Sequence, residues 1–134
     1  MLGLSEQRQV FMTQKIMHTL DQWGLSAQQQ IAILELPDET RGRKLRAYHE
    51  STPLPSLPDV EYRVIRLLGI IDALRTSYPK NPMMGERWIK MPHKRFNNRT
   101  PLQVMMEDGR TGVNAILAEL DCAYAWDLTG SSAK

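Results

Sequence analysis

Pro53, Pro55 and Pro58 all fall within the segment Ser51-Thr52-Pro53-Leu54-Pro55-Ser56-Leu57-Pro58. Each proline removes a backbone donor and fixes φ, so neither a helix nor a strand passes through. The segment is a connection, and it divides the 134-residue chain into residues 1–52, the connection at 53–58, and residues 59–134. On both sides apolar residues recur at steps of three and four, and no stretch shows sustained alternation of apolar and β-branched residues. The fold class expected is all-α.

Before the connection, Val10, Met17, Leu20 and Trp23 keep helical spacing. Ser5 and Glu6 are placed to open this helix, and Gly24 to close it in a left-handed conformation. Ser26 with Gln29 forms a capping box for a short second helix, its face read from Ala27, Ile31 and Leu34 and its end from Pro37. The two helices meet through the tight turn Trp23-Gly24-Leu25-Ser26. Asp38 is positioned to cap a third helix reaching about Glu50, with Leu45 and Tyr48 turned inward.

After the connection, Val60, Val64, Leu67, Leu68, Ile71, Leu74 and Tyr78 mark the longest amphipathic run, capped by Asp59 and ended by Pro79. Asn81-Pro82 starts another helix, with Met84, Trp88 and Ile89 as its buried stripe and Pro92 beyond its end. Thr100-Pro101 repeats the start signal for a short helix ending at Gly109, and Val113, Ile116, Leu117 and Leu120 define a last one. The tail from about Asp127 is polar and expected to be loose.

A hydrophobic content of 42% with 24% charged residues is a globular composition. The start Met1-Leu2-Gly3-Leu4-Ser5 has no leader pattern and no apolar run reaches membrane-spanning length, so a cytoplasmic protein without membrane contact is expected. Cys122 is the only cysteine, which excludes an internal disulfide and a cysteine-rich zinc site. His18, His49 and His93 lie on separate elements, and there is no Gly-rich phosphate loop and no nucleophile elbow. Adjacent acids such as Glu107-Asp108 read as a solvated surface. The expectation is a binding protein, with no catalytic residues, metal or cofactor.

Charge is unevenly spread: residues 1–99 carry fifteen Lys/Arg against ten Asp/Glu, and residues 100–134 carry two against five. Arg41, Arg43, Lys44 and Arg46 concentrate four of these cations on the third helix. That helix follows two joined by a tight turn, an arrangement that can present side chains to a major groove and to phosphates. The four are the candidate DNA contacts. A second basic run, Arg87, Lys90, His93, Lys94, Arg95 and Arg99, surrounds Trp88 and Phe96. Trp88 reads as core, whereas Phe96, between Pro92 and Pro101, is an aromatic among arginines of the kind that anchors a protein partner.

From Trp88 onward the order Trp88-Ile89, Pro92, Phe96, Asn97-Asn98, Thr100-Pro101-Leu102, Gly109, Val113 and Leu117 resembles the C-terminal toxin-binding domain of the Xre/MbcA/ParS antitoxins, over about Val60 to Leu120. His93 stands where that family commonly has asparagine, and Asn97-Asn98 replaces a glycine turn; asparagine tolerates the left-handed conformation such a turn needs. Gly24-Leu25-Ser26, Ile31, Leu34 and Leu36-Pro37 look like the Xre-type helix-turn-helix of the same family.

The resemblance implies a dimeric antitoxin of a type II toxin–antitoxin pair, which neutralises a RES-domain toxin that consumes NAD or transfers ADP-ribose from it and represses its own operon. It assigns operator DNA to the first part of the chain and the toxin to the second. Candidate toxin contacts are Lys94, Arg95, Phe96, Asn97, Asn98 and Arg99, with Asp127 and Leu128 at the end that approaches the toxin's active site. A free-standing helix-turn-helix regulator and a helical adaptor without DNA binding are the competing readings.

Overall fold

The computed structural model describes residues 3–78 and 80–129, with side chains left aside at residue 82 and from residue 122 onward. It contains seven α-helices, and no strand among the described residues, so the all-α expectation holds. Two compact units, Met1–Ile65 and Arg66–Lys134, divide within the fourth helix. Among the described residues no helix is long and apolar enough to cross a membrane.

The first unit contains α1 (Glu6–Gln22), α2 (Ala27–Ile33), α3 (Gly42–Glu50) and the beginning of α4 (Pro58–Ser77). Ser5 caps α1, its hydroxyl accepting from the Arg8 N–H, and Gly24 turns the chain at φ +79°. That value suits glycine because no Cβ meets the backbone there. The Ser26–Gln29 capping box opens α2 as expected. The buried face of α2 is Gln30 and Ile33, followed by Leu34, whereas Ala27 is exposed and Ile31 half-buried.

The physical reason for the shifted face is that the Gln30 amide nitrogen finds partners inside. Its Nε2 donates to Asp21 Oδ1 at 2.7 Å and to the Leu25 carbonyl at 3.1 Å. Asp38 does not cap α3. It sits in a turn closed by Thr40 N–H on the Pro37 carbonyl, and Arg41 is the residue preceding the helix. Leu45 and Tyr48 are buried as anticipated.

The proline-rich segment is irregular but anchored. Leu54 is buried, and its N–H donates to the buried Thr13 hydroxyl of α1 at 3.1 Å. Pro58 starts α4, so Asp59 lies in its first turn and not at its cap. In the first unit α4 buries Val60, Val64 and Arg63. Arg63 Nε and Nη2 donate to Glu35 Oε2 at 3.1 and 2.7 Å, and Nη1 donates to the Ile33 carbonyl at 2.8 Å. Glu35 itself is left-handed at φ +54°.

The second unit continues α4 and adds α5 (Pro82–Ile89), one turn of 3₁₀ helix at Lys94–Phe96, α6 (Pro101–Glu107) and α7 (Gly109–Thr129). Its core includes Leu67, Ile70, Leu74, Ile89, Val104, Met105, Val113, Ile116 and Leu120, each contributing roughly 1.5–3 kcal/mol when fully buried. Ile70 takes the place expected of Leu68 and Ile71, both half-buried. Met84 is exposed and Trp88 half-buried, so Ile89 is the main inward residue of α5. Helix α7 continues to Thr129, into the segment expected to be a loose tail.

Candidate functional site

Helix α3 is held by polar contacts as well as by Leu45 and Tyr48. Asp21, at the end of α1, accepts from Gln30 of α2 through Oδ1 and meets His49 Nε2 of α3 at 3.0 Å through Oδ2. His49 Nδ1 lies 2.9 Å from the Leu45 carbonyl. One carboxylate thus ties the first three helices together. With Leu45 and Tyr48 inward, Arg41, Arg43, Lys44 and Arg46 are left in solvent, and none forms an ion pair with a described residue. Lys44 Nζ lies 5.7 Å from the centre of the Tyr48 ring, and burial raises the Tyr48 hydroxyl above the ordinary phenol range.

The other candidate is the loop between α5 and α6. It is closed at its base, where the His93 N–H donates to the Arg99 carbonyl at 3.2 Å and the Asn98 N–H to the His93 carbonyl at 2.9 Å. Asn97 and Asn98 are both left-handed, at φ 58° and 65°, a conformation asparagine adopts more readily than most residues. Inside the loop His93 is central: its ring is 5.2 Å from Trp88 and meets Phe96 edge-on at 6.0 Å. Its Nε2 lies 3.1 Å from the Trp88 carbonyl.

Two of the loop's arginines are tied down. Arg99 makes a two-pronged contact with Asp108, Nη1 to Oδ1 and Nη2 to Oδ2, both at 3.1 Å, and a further one with Glu107 Oε1. The hydrogen bond to Asp108, then that to Glu107, holds the guanidinium above its ordinary range. Glu107-Asp108 is therefore a clamp on this loop, not a merely solvated surface. Arg95 Nε reaches Glu119 Oε1 of α7 at 3.1 Å. Lys94, Asn97 and Asn98 are exposed, and Phe96 is half-buried.

The loop ends in a capping box. Thr100 accepts from the Gln103 N–H at 2.9 Å, and Gln103 Oε1 accepts from the Thr100 N–H at 2.7 Å. Thr100→Ala is expected to lose about 1 kcal/mol of stability. Urea unfolding checks this, and an unchanged midpoint would contradict it.

Residues 81–122 match the family model described as the antitoxin Xre/MbcA/ParS C-terminal toxin-binding domain. Over those residues the chain carries a toxin-binding domain of this antitoxin family. No curated protein and no solved structure matches the chain. The matched segment begins at Asn81, immediately before α5, and ends within α7, so it encloses the clamped loop. Antitoxin function and a cognate toxin partner follow from that domain.

Lys94 through Arg99 are thus brought together on one loop of the matched toxin-binding domain. Asp127 and Leu128 fall in the last turn of α7, among residues whose side chains lie outside the description. The reading from sequence missed Gly112. A Cβ at Gly112 would sit well inside contact distance of the Val104 carbonyl oxygen and 2.9 Å from Asp108 Cβ, which makes it a point of near contact between α6 and α7. The only signal was a second glycine shortly after Gly109. The role of His93 was foreshadowed by its standing where asparagine is usual, since Nε2–H can donate to the Trp88 carbonyl as an amide would.

Proposed function

We propose that this antitoxin neutralises a RES-domain toxin, one that consumes NAD or transfers ADP-ribose from it, by docking through the α5–α6 loop and covering the toxin's active site. The observation that supports this reading most is the loop itself, held by Asp108, Glu107 and Glu119 while Lys94, Asn97 and Asn98 are exposed and Phe96 is only half-buried. A pre-set loop loses little conformational entropy on binding. The α7 end with Asp127 and Leu128 is the segment assigned to the toxin's substrate entrance. The antitoxin acts in the cytoplasm as a homodimer, with residues 1–52 assigned to DNA and residues 59–134 to the toxin.

Co-expression with the protein encoded beside it tests the proposal. Co-purification and restored growth are expected; failure of both overturns it. The double variant Lys94→Glu/Phe96→Ala is expected to weaken toxin binding by about 2 kcal/mol, roughly thirty-fold in Kd. Calorimetry reads the affinity and circular dichroism checks that the helices persist.

Autorepression through α3 is the second part of the proposal, supported by three exposed cations on a helix whose other face is buried and by exposed Arg41 immediately before it. If each neutralises one phosphate, log K against log salt has a slope of roughly −3.6 per chain. Replacing Arg41, Arg43, Lys44 and Arg46 with alanine is expected to abolish that dependence. An unchanged mobility shift would return α3 to an ordinary solvated helix. A free-standing regulator is the alternative those same cations favour, and it predicts operator binding without a dedicated toxin.

A further inference from the structure

Beside α3 lies a groove with a cavity volume of about 860 Å³, within the range of roughly 300–1,000 Å³ typical of small-molecule sites. Its apolar lining includes Pro37, Tyr48, Pro55 and Leu57, and Leu57 is 40% exposed, so apolar surface there is left facing water. The walls are stiff: both prolines have fixed φ, Leu54 next to Pro55 is anchored on Thr13, and Tyr48 is buried. Arg41, Arg43 and Lys44 also line it, against Glu39 as the one carboxylate.

We infer that this groove is a binding site for a small amphipathic anion, an apolar body carrying one carboxylate, sulfonate or phosphate group, whose occupancy competes with DNA. An apolar floor bordered by cations without described ion-pair partners is complementary to such a molecule and to neither a neutral hydrocarbon nor a cation. Lys44, its Nζ 5.7 Å from the centre of the Tyr48 ring, borders the aromatic part of the floor, and the anionic group is assigned to it and to Arg41 or Arg43. The competition rests on the proposal that α3 binds phosphates, because the same three cations serve both ligands. The groove itself does not depend on that proposal.

Anilinonaphthalene sulfonate, a fluorescent anion of this class, is the probe, used with the full chain. Wild type is expected to enhance its fluorescence with saturation at one probe per chain. Leu57→Asp and, separately, Lys44→Glu are expected to weaken binding at least about tenfold through like-charge repulsion. Met84→Glu, on the exposed face of α5, is expected to leave it unchanged. Thermal melts confirm that the variants fold, as exposure of Leu57 and Lys44 implies.

Equal binding by wild type and both groove variants overturns the site. So does equally tight binding of the neutral fluorophore N-phenylnaphthylamine, which would make the groove merely apolar. Displacement of the probe by an acidic peptide at lower concentration than by naphthalene sulfonate would assign the groove to a peptide and overturn the small-anion reading. With duplex DNA present, saturating probe is expected to release the DNA, and simultaneous binding of both overturns the competition. If the chain retains no duplex even without probe, it is the DNA proposal that fails, and the fluorescence comparison alone judges the groove.

Discussion

Replacing Gly112 with alanine is expected to disrupt the packing of α6 against α7 and, with it, toxin binding. The methyl carbon would sit well inside contact distance of the Val104 carbonyl oxygen and 2.9 Å from both the Val104 carbonyl carbon and Asp108 Cβ. The obstruction is backbone, which cannot rotate aside as a flexible side chain can. Relief requires the helices to separate, and Val104, Met105, Val113 and Ile116 are all buried on these two elements. Overpacking of this kind costs about 3 kcal/mol or more. The same displacement would move Asp108, which holds Arg99 and hence the loop. Gly42→Ala is the control, since a Cβ there meets nothing within 4 Å and a helical alanine contributes roughly 0.5–1 kcal/mol over glycine. Thermal unfolding and toxin capture read both variants. A Gly112→Ala protein that melts and binds like wild type would show that the packing of α6 against α7 does not depend on this glycine.

What was legible from residues alone was mainly what is decided locally. Ser5, the Ser26–Gln29 box and Gly24 act on backbone groups within a few residues of themselves, and all three were readable. Asp38 misled because a turn closed on the Pro37 carbonyl intervenes before α3, and a cap residue carries no information about where the next turn ends. The seven residues of α2 span about two turns, too few to define the phase of an apolar stripe. Its buried Gln30 is explained by Asp21 and Leu25, which lie outside the helix.

The candidate loop divides along the same line. The left-handed suitability of Asn97-Asn98 and the start at Thr100-Pro101 were visible, because they are properties of single residues in a turn. The arginines were all read as available charge, yet Arg99 is gripped by two carboxylates that α6 carries back to it, and Arg95 by one on α7. Which charge is structural and which is offered to a partner depends on pairings across elements. Lys94 and the two asparagines emerge as the exposed polar set only once those pairings are drawn.

Arg63→Met is expected to destabilise the first unit by about 3 kcal/mol, the scale on which buried ion pairs resist loss of one partner. Arg63 is 4% exposed and engages Glu35 through two nitrogens and the Ile33 carbonyl through a third. Its removal leaves a half-buried carboxylate without its guanidinium and a main-chain carbonyl without that donor. Glu35 also holds a left-handed φ of 54°, which costs a residue with a Cβ roughly 1–2 kcal/mol. A double variant, Arg63→Met with Glu35→Gly, removes both the stranded charge and that conformational cost. The double variant is therefore expected to be more stable than Arg63→Met alone, although it contains one more substitution, a coupling that a double-mutant cycle by urea unfolding measures directly. Because Glu35 lies in the segment leading from α2 to α3, the single variant is also expected to weaken any DNA binding through α3, with the double restoring part of it. Simple additivity of the two substitutions would show that Arg63 and Glu35 do not act as a pair.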